Sequence, residues 1–468
     1  MLSLAQQRPL KPPTLFNPIL QAWTETLRRR AEDPAILAAD GSVLRRFSDI
    51  EAESVTIEQG LHAIPAGAVC ALQIGNTPAW PALLLALFRR RLVPLPLGRH
   101  VEPAELQNII QAQQVYTLFT PAGQVLQNAA AISSSAAFLK LTSGTSGTPR
   151  GIRFTAAQIF ADCENVCDTM GFTEADLNYG VIPFSHSYGF SNLVTPLLCR
   201  GVPVVATEDR LPRAILAGLQ QTQATVFPGM PVFYDKLAAL EGLPPLPRLR
   251  LCISAGAPLP ASLAERFHDR LGRKIHSFYG SSECGGIAYD RSPGPAEEGL
   301  VGPAMCGVHL SAEGEGSTTR LAVRGPAVGE GYDAASESAT LSDGVFRPPD
   351  LVRWTARGLV LAGRASDVIN IAGRKLHPAE VEGPLASFPG VKQVIVFGIP
   401  SASRGEEAIA CVAGQGIDPA ALRRHCRQYL SEWQMPRDFW FIPEIPANER
   451  GKISRRELAG RYLGSSKN

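Results

Sequence analysis

From residue 15 to residue 130 the apolar positions switch between two rhythms. Spacings of three and four predict helices over 17–31, 49–61, 80–90 and 103–113, and short unbroken apolar runs at 69–74, 93–97 and 115–119 predict buried strands between them. Helices alternating with short strands give an α/β architecture, a sheet with helices packed on it. Farther along, the spacing predicts a helix over 156–170, an apolar strand that ends in Pro183 with a helix starting near Gly189, and two strands with glycines at their ends, LRLCISAGAPLP (249–260) and KIHSFYGSSECGG (274–286). Residues 321–362 read as short strands and turns. The texture then changes: a helix start and strands over 381–397 and 408–412, followed by a long basic helix from Pro419. A chain of this length divides into domains, and the natural cut leaves a large N-terminal domain of mixed sheets with packed helices at 1–364 and a small mobile C-terminal α+β domain at 365–468.

Composition narrows the class. With 468 residues, 45% hydrophobic and 19% charged, the chain can bury a large core, and its net charge of +2 argues for no polyanionic partner. The basic clusters at 28–30 and 89–91 are short and far apart, so they make no nucleic-acid stripe. The strongest apolar run, AWPALLLALF at 79–88, falls well short of the roughly 20 residues that cross a bilayer and reads as a core helix. The N-terminus lacks the charged and apolar regions of a secretory signal. Nine scattered cysteines without C-x-x-C pairs fit buried reduced thiols of a cytoplasmic protein, with Cys163 and Cys167 on one helix face.

Candidate chemistry concentrates first in residues 141–151, LTSGTSGTPRG, with three glycines and five hydroxyl side chains. Glycines let backbone N–H groups turn inward on a polyanion and short hydroxyls add donors, so the loop reads as a phosphate grip, or else as a Ser/Thr/Gly-rich surface loop. It is not the P-loop motif, which needs Lys and a hydroxyl directly after the second glycine. His186, flanked by Ser185, Ser187 and Tyr188, is either structural or lines a pocket. The run Tyr279, Gly280, Ser281, Ser282, Glu283 puts an aromatic face, close backbone approach, two hydroxyls and a carboxylate at the carboxyl end of a strand, where open α/β sheets hold ligands. Glu283 suits Mg²⁺, which takes one or two carboxylates plus substrate phosphates, unless it is a solvated turn residue. Lys452, in ANERGKISRREL, taken alone reads as a solvated basic tail.

Taken in order, LTSGTSGTPRG, PFSHSYG, SAGAPLP, FYGSSE, RPPD, GRASDVINIAGRKLHPAEVE and ERGKISRREL make the chain resemble the adenylate-forming superfamily of acyl- and aryl-CoA ligases, peptide-synthetase adenylation domains and luciferases, from about residue 47 to 458. The resemblance implies activation of a carboxylic acid by Mg·ATP as an acyl-adenylate, with pyrophosphate released, and then attack by a thiol. A carboxylate is a poor electrophile because attack must expel an oxide; adenylation makes AMP the leaving group, so catalysis is mostly positioning and charge neutralisation.

By that resemblance, Thr142, Ser143, Gly144, Thr145, Ser146 and Gly147 hold the triphosphate, Gly256, Ala257 and Pro258 border the adenine, and Tyr279 packs on it. Ser282 reaches phosphate, Glu283 the Mg²⁺, and Asp350 with Arg364 the ribose. Lys452 bridges the carboxylate and the α-phosphate. His186, Gly280 and Ser281 lie beside the acid. The small domain swings about Ser366 between the two steps, bringing Gly373, Arg374 and Lys375 to a tunnel for a phosphopantetheine arm. Departures from the family pattern are Arg150 for the loop's usual Lys, Ser366 for the hinge Asp or Lys, and two prolines before Asp350. The segment PFSHSYGFSN carries no acid to pair with an ammonium, which disfavours an α-amino acid and leaves an aryl or aliphatic one. The acceptor is CoA or the pantetheine of an acyl carrier protein; no carrier domain follows Asn468, so a carrier is expected as a separate chain. A homodimer is expected by analogy with relatives. Transfer to an amine, an alcohol or another nucleophile, and a non-catalytic nucleotide-binding protein of the same fold, are the alternatives.

Overall fold

The computed structural model describes residues 17–128, 131, 133–142, 150–294, 296–314, 316, 318–333, 340–401, 403–446 and 453–465. Contacts divide the chain into two compact units, one of residues 1–209, 217–225 and 326–337, the other of 210–216, 226–325 and 338–468.

In the first unit the predicted elements form with ends shifted by one or two residues, and local chemistry sets those ends. Helix Pro18–Arg30 starts where the Asn17 side chain accepts from the N–H groups of Ile19 and Leu20, and it closes on three arginines that complement the helix dipole. Helix Ala156–Met170 begins with a capping box between Thr155 and Gln158 and ends at left-handed Gly171. The apolar run becomes helix Trp80–Arg89, buried on nearly every side. It packs beside a sheet ordered Val93–Pro96, Val69–Leu72, Val115–Thr120, Gly123–Gln127, parallel until the last antiparallel pair. Strands Val43–Arg46, Pro34–Leu37, Val204–Ala206 and Asn178–Gly180 lie side by side in that order.

A small antiparallel sheet of Gly331–Tyr332, Arg150–Phe154 and Phe138–Thr142 carries the ends of the glycine-rich loop, with Thr142 paired to Arg150. Behind it, the Lys140 ammonium lies 3.8 Å from Asp162, each side chain 5% exposed. Phe154 and Phe190 face the same ammonium, at 4.9 Å and 5.9 Å. Ser191 donates to Asp162, so the buried carboxylate has a hydroxyl as well as a cation.

Two expectations need correction. The apolar strand before Pro183 ends at Gly180, because the backbone beyond it bonds to a side chain instead of a neighbouring strand. The helix expected near Gly189 starts at Ser187 and widens into a π-helical turn over Phe190–Val194 before the helix Thr195–Arg200.

The second unit carries strands Val226–Gly229, Leu251–Ser254 and Ile275–Ser281 in parallel, with Gly285–Tyr289 antiparallel on the edge. Their cores meet at Tyr234, whose hydroxyl donates to the carbonyls of Phe227 at 2.7 Å and Ile253 at 2.9 Å. A mainly antiparallel meander follows, from Leu300–Gly302 to Gly358–Arg364.

The last hundred residues form an α+β layer structure. Alternate residues of the central pair Val391–Ser401 and Gly405–Gly414 point to opposite faces. Val396 and Ala410 pack with Val381, Leu385 and Leu422 on one side; Phe397, Ile409 and Cys411 pack with Ile445 and Leu458 on the other. The basic helix from Pro419 is short, ending at Cys426, because the N–H groups of Gln428 and Tyr429 reach back only three residues, each at 3.0 Å, and tighten the chain into a turn. Helix Arg455–Ser465 is tied down by Arg455, which donates to Asp367 at 2.9 Å, Glu382 at 2.7 Å and the carbonyl of Val396 at 2.9 Å. Burial pushes the Glu382 carboxyl upward while Arg455 pulls it down.

Candidate active site

Three elements of the second unit bring the proposed nucleotide residues together. Asp350 opens strand Asp350–Thr355 and pairs in register with Arg364, the last residue of Gly358–Arg364. The guanidinium Nε of Arg364 donates to Asp350 Oδ1 at 3.2 Å, and the hydroxyl of Tyr279 donates to Oδ2 at 2.8 Å. The two prolines before Asp350 do not disturb this, since the carbonyl of Pro349 accepts the N–H of Ala365 at 2.8 Å. A carboxylate has about four lone-pair sites, so two bonds leave it acceptor capacity for a vicinal diol. Burial, reinforced by the Asp350 charge, holds the Tyr279 hydroxyl well above its ordinary titration range, and the phenol therefore stays a donor.

Tyr279 lies on strand Ile275–Ser281, and a register shift between Tyr279 and Gly280 turns the chain just beyond it. A side chain at Gly280 would come within 2.8 Å of the carbonyl of Gly285, so only glycine fits this bulge. Past it, Ser281 donates to Glu283, whose carboxylate is buried; Ser282 between them is half-buried. The parallel neighbour Leu251–Ser254 pairs Ser254 with Ser277, which carries Gly256, Ala257 and Pro258 past the same strand ends. Nucleotide, phosphate and acid candidates on this strand therefore converge at one carboxyl edge, as open α/β sheets require.

Mg²⁺ fits this donor set. Among the described residues no three His, Cys, Asp or Glu side chains converge to hold a metal unaided. One buried carboxylate completed by phosphate oxygens is the usual Mg²⁺ arrangement.

The other predicted residues stand as follows. Thr142 ends its strand, whereas Ser143, Gly144, Thr145, Ser146, Gly147 and Lys452 lie outside the described residues. The guanidinium of Arg150 lies 4.3 Å over the Tyr332 ring. His186 is exposed, and its Nδ1 accepts the N–H of Tyr188 at 3.3 Å, capping the short helix that follows. Ser366 lies in the single turn Ala365–Asp367. Gly373 and Ala372 both have positive φ, 84° and 50°, and join Ile369–Ile371 to Arg374–Leu376 in a tight hairpin whose tip, with Arg374 and Lys375, is exposed. Arg374 extends toward the Trp433 ring at 5.4 Å.

Asp350→Ala is expected to raise KM for ATP about 10- to 100-fold, since hydrogen bonds to charged groups contribute about 1.5–3 kcal/mol, with kcat changed far less. Initial-rate kinetics at saturating acid check this, with Tyr279→Phe, which keeps the carboxylate, giving a smaller rise in the same direction.

The family profile described as AMP-binding enzyme matches residues 127–333, and that of the AMP-binding enzyme C-terminal domain matches residues 380–452. A feruloyl-CoA synthase from Amycolatopsis sp is 30% identical over 341 residues, 69% of this chain and 69% of that protein. A long-chain-fatty-acid–CoA ligase from Bacillus subtilis (strain 168) is 28% identical over 341 residues, 69% of this chain and 61% of that protein. Among solved structures, ATP-bound MatB from Rhodopseudomonas palustris shares the fold with a TM-score of 0.85 at 24% identity, over 96% of this chain and 99% of that one. The anthranilate CoA ligase AuaEII in complex with anthranoyl-AMP does so with a TM-score of 0.84 at 21% identity, over 97% and 99%. With matches to both the main and the C-terminal family profile and a relative at 30% identity, this chain belongs to the AMP-binding enzymes, the adenylate-forming acid–thiol ligases.

Proposed function

We propose that the protein activates an aryl or aliphatic carboxylic acid, not an α-amino acid, and transfers it to the thiol of CoA. In the first step an oxygen of the acid attacks the α-phosphorus of ATP and pyrophosphate leaves. In the second the thiol sulfur attacks the acyl carbon, AMP leaves, and the thiol proton passes to solvent. Asp350, held by Tyr279 and Arg364, binds the ribose hydroxyls; the ring of Tyr279 and the turn Gly256, Ala257, Pro258 flank the adenine. Glu283 holds Mg²⁺, which neutralises phosphate charge when bound, and Thr142 with the loop after it holds the phosphates. Lys452 bridges the acid and the α-phosphate. His186, Gly280 and Ser281 border the acid, and Gly373 with Arg374 and Lys375 borders the path of the pantetheine arm. The small domain, 365–468, turns about Ser366 between the two steps, and the enzyme works in the cytoplasm.

The observation that carries this reading is the Tyr279–Asp350–Arg364 cluster beside the Ser281–Glu283 pair at one strand end, in a chain of this family. CoA is favoured over a carrier protein because the relatives named above are CoA-thioester synthases and ligases. The test is acid-dependent ATP–pyrophosphate exchange over a panel of aryl, fatty and α-amino acids, followed by thioester formation with CoA or a loaded carrier. Exchange with α-amino acids alone, or thioester on the carrier alone, would overturn the corresponding part.

A further inference from the structure

The segment between Gly180 and Ser187 leaves its sheet early, and a single buried side chain from a distant part of the sequence takes up its backbone groups. Asn76 follows strand Val69–Leu72, more than a hundred residues upstream. Its Nδ2 donates to the carbonyls of Gly180 at 3.1 Å, Ile182 at 2.9 Å and Thr207 at 3.1 Å, and its Oδ1 accepts the N–H of Phe184 at 2.8 Å. Its own backbone N–H donates to Glu208 at 2.9 Å, and the neighbouring Gly75 carbonyl accepts the Trp80 indole N–H at 2.6 Å. Asn76 is 8% exposed.

Only a carboxamide of this length serves all four partners. Its two N–H groups span three carbonyls by sharing, and its oxygen accepts an amide N–H. Aspartate would set a second oxygen against the three carbonyls, and alanine would leave three buried backbone groups and the half-buried Thr207 carbonyl without this side-chain partner. The carboxamide thus ties together the carboxyl ends of three strands of one unit: Val69–Leu72, Asn178–Gly180 and Val204–Ala206. These strands belong to two different sheets, and in each it is the carboxyl end of parallel strands, the edge from which open α/β sheets contact ligands, that the carboxamide holds. The backbone it holds runs straight into Phe184 and His186.

We infer that Asn76 is a positioning residue for acid recognition: it holds the backbone of 180–184, with Phe184 buried beneath it, in the one path that sets the exposed His186 against the acid. This rests on reading the His186 segment as the acid-side wall. Asn76 touches neither nucleotide nor acid in this account, so its loss registers in acid binding and acid choice and leaves ATP binding intact.

The experiment compares Asn76→Ala, Glu208→Ala and His186→Ala in ATP–pyrophosphate exchange, measuring KM for ATP, KM for two acids of different length, and the ratio of kcat/KM between those acids. Asn76→Ala is expected to raise KM for the preferred acid by about tenfold and to shrink the discrimination ratio, with KM for ATP within about twofold. Glu208→Ala, which removes the acceptor for the Asn76 backbone N–H together with the ion-pair partner of Arg99 and keeps the carboxamide, is expected to give a smaller change of the same kind, with Arg99→Ala, which breaks the ion pair alone, leaving acid discrimination unchanged. Should Asn76→Ala fail to fold, Glu208→Ala decides. Equal rises in both KM values, or an unchanged discrimination ratio in the folded variants while His186→Ala alters it, overturn the inference and leave the reading of the His186 segment standing. Acid kinetics unchanged in His186→Ala would overturn that reading, and the inference with it.

Discussion

Lys452→Ala is expected to lower acid-dependent ATP–pyrophosphate exchange by about 10²–10³-fold, the loss typical of removing one preorganised donor to developing charge. Thioester formation from separately supplied acyl-adenylate should stay within a few-fold of the unaltered enzyme. The asymmetry follows from the chemistry. In adenylation two anions, the carboxylate and the α-phosphate, approach each other, and a cation placed between them offsets their repulsion. In thioesterification the nucleophile is a thiol and the leaving group already carries its charge, so the same ammonium has little to do. In the sequence Lys452 follows Gly451 and stands three residues before helix Arg455–Ser465. Stopped-flow or quenched assays of each half-reaction separate the outcomes, and equal losses in both would sink the division of labour.

Glu283→Gln is expected to cost about 10²-fold in the adenylation rate, again on the scale of one lost electrostatic partner, and to move the Mg²⁺ titration of exchange activity to higher concentration. The replacement has nearly the same shape and can still accept the Ser281 hydroxyl, so a purely structural carboxylate would give neither effect. A carboxylate that helps hold a hard cation loses that ability as an amide, because the charge has gone while the size has not. Unchanged Mg²⁺ dependence in a well-folded variant would place the cation elsewhere.

Much of this arrangement was legible in the residues because local signals decide it. Spacings of three and four mark the helices at 17–31 and 156–170, the apolar run at 79–88 marks a core helix, and the glycines around Tyr279 to Glu283 mark a strand end. What stayed hidden depends on contacts between residues far apart in the chain. The Tyr279 hydroxyl meets a carboxylate 71 residues away, and nothing in FYGSSE or RPPD says which partner each finds. Lys140 looks like a surface cation interrupting FLKLT, yet it is buried against Asp162 and two rings; a lone charge inside an apolar strand was the available signal. Asn76 likewise reads as a turn residue in GNTPAW until its carbonyl partners appear. The basic helix from Pro419 reads as long because arginines favour helix, while its end is set by backbone turns after Arg427 that composition does not encode.

The Arg455 clamp bears on how such a chain can be recombined with a relative. Its three donors reach Asp367, Glu382 and Val396, so one side chain near the C-terminus completes residues that begin almost ninety positions earlier. A crossover placed before Asp367 transfers the guanidinium and both carboxylates as a set. A junction anywhere between Glu382 and Arg455 makes the graft depend on the other parent supplying the matching charge, and a mismatch there would strand an acid group inside the fold at a cost of several kcal/mol.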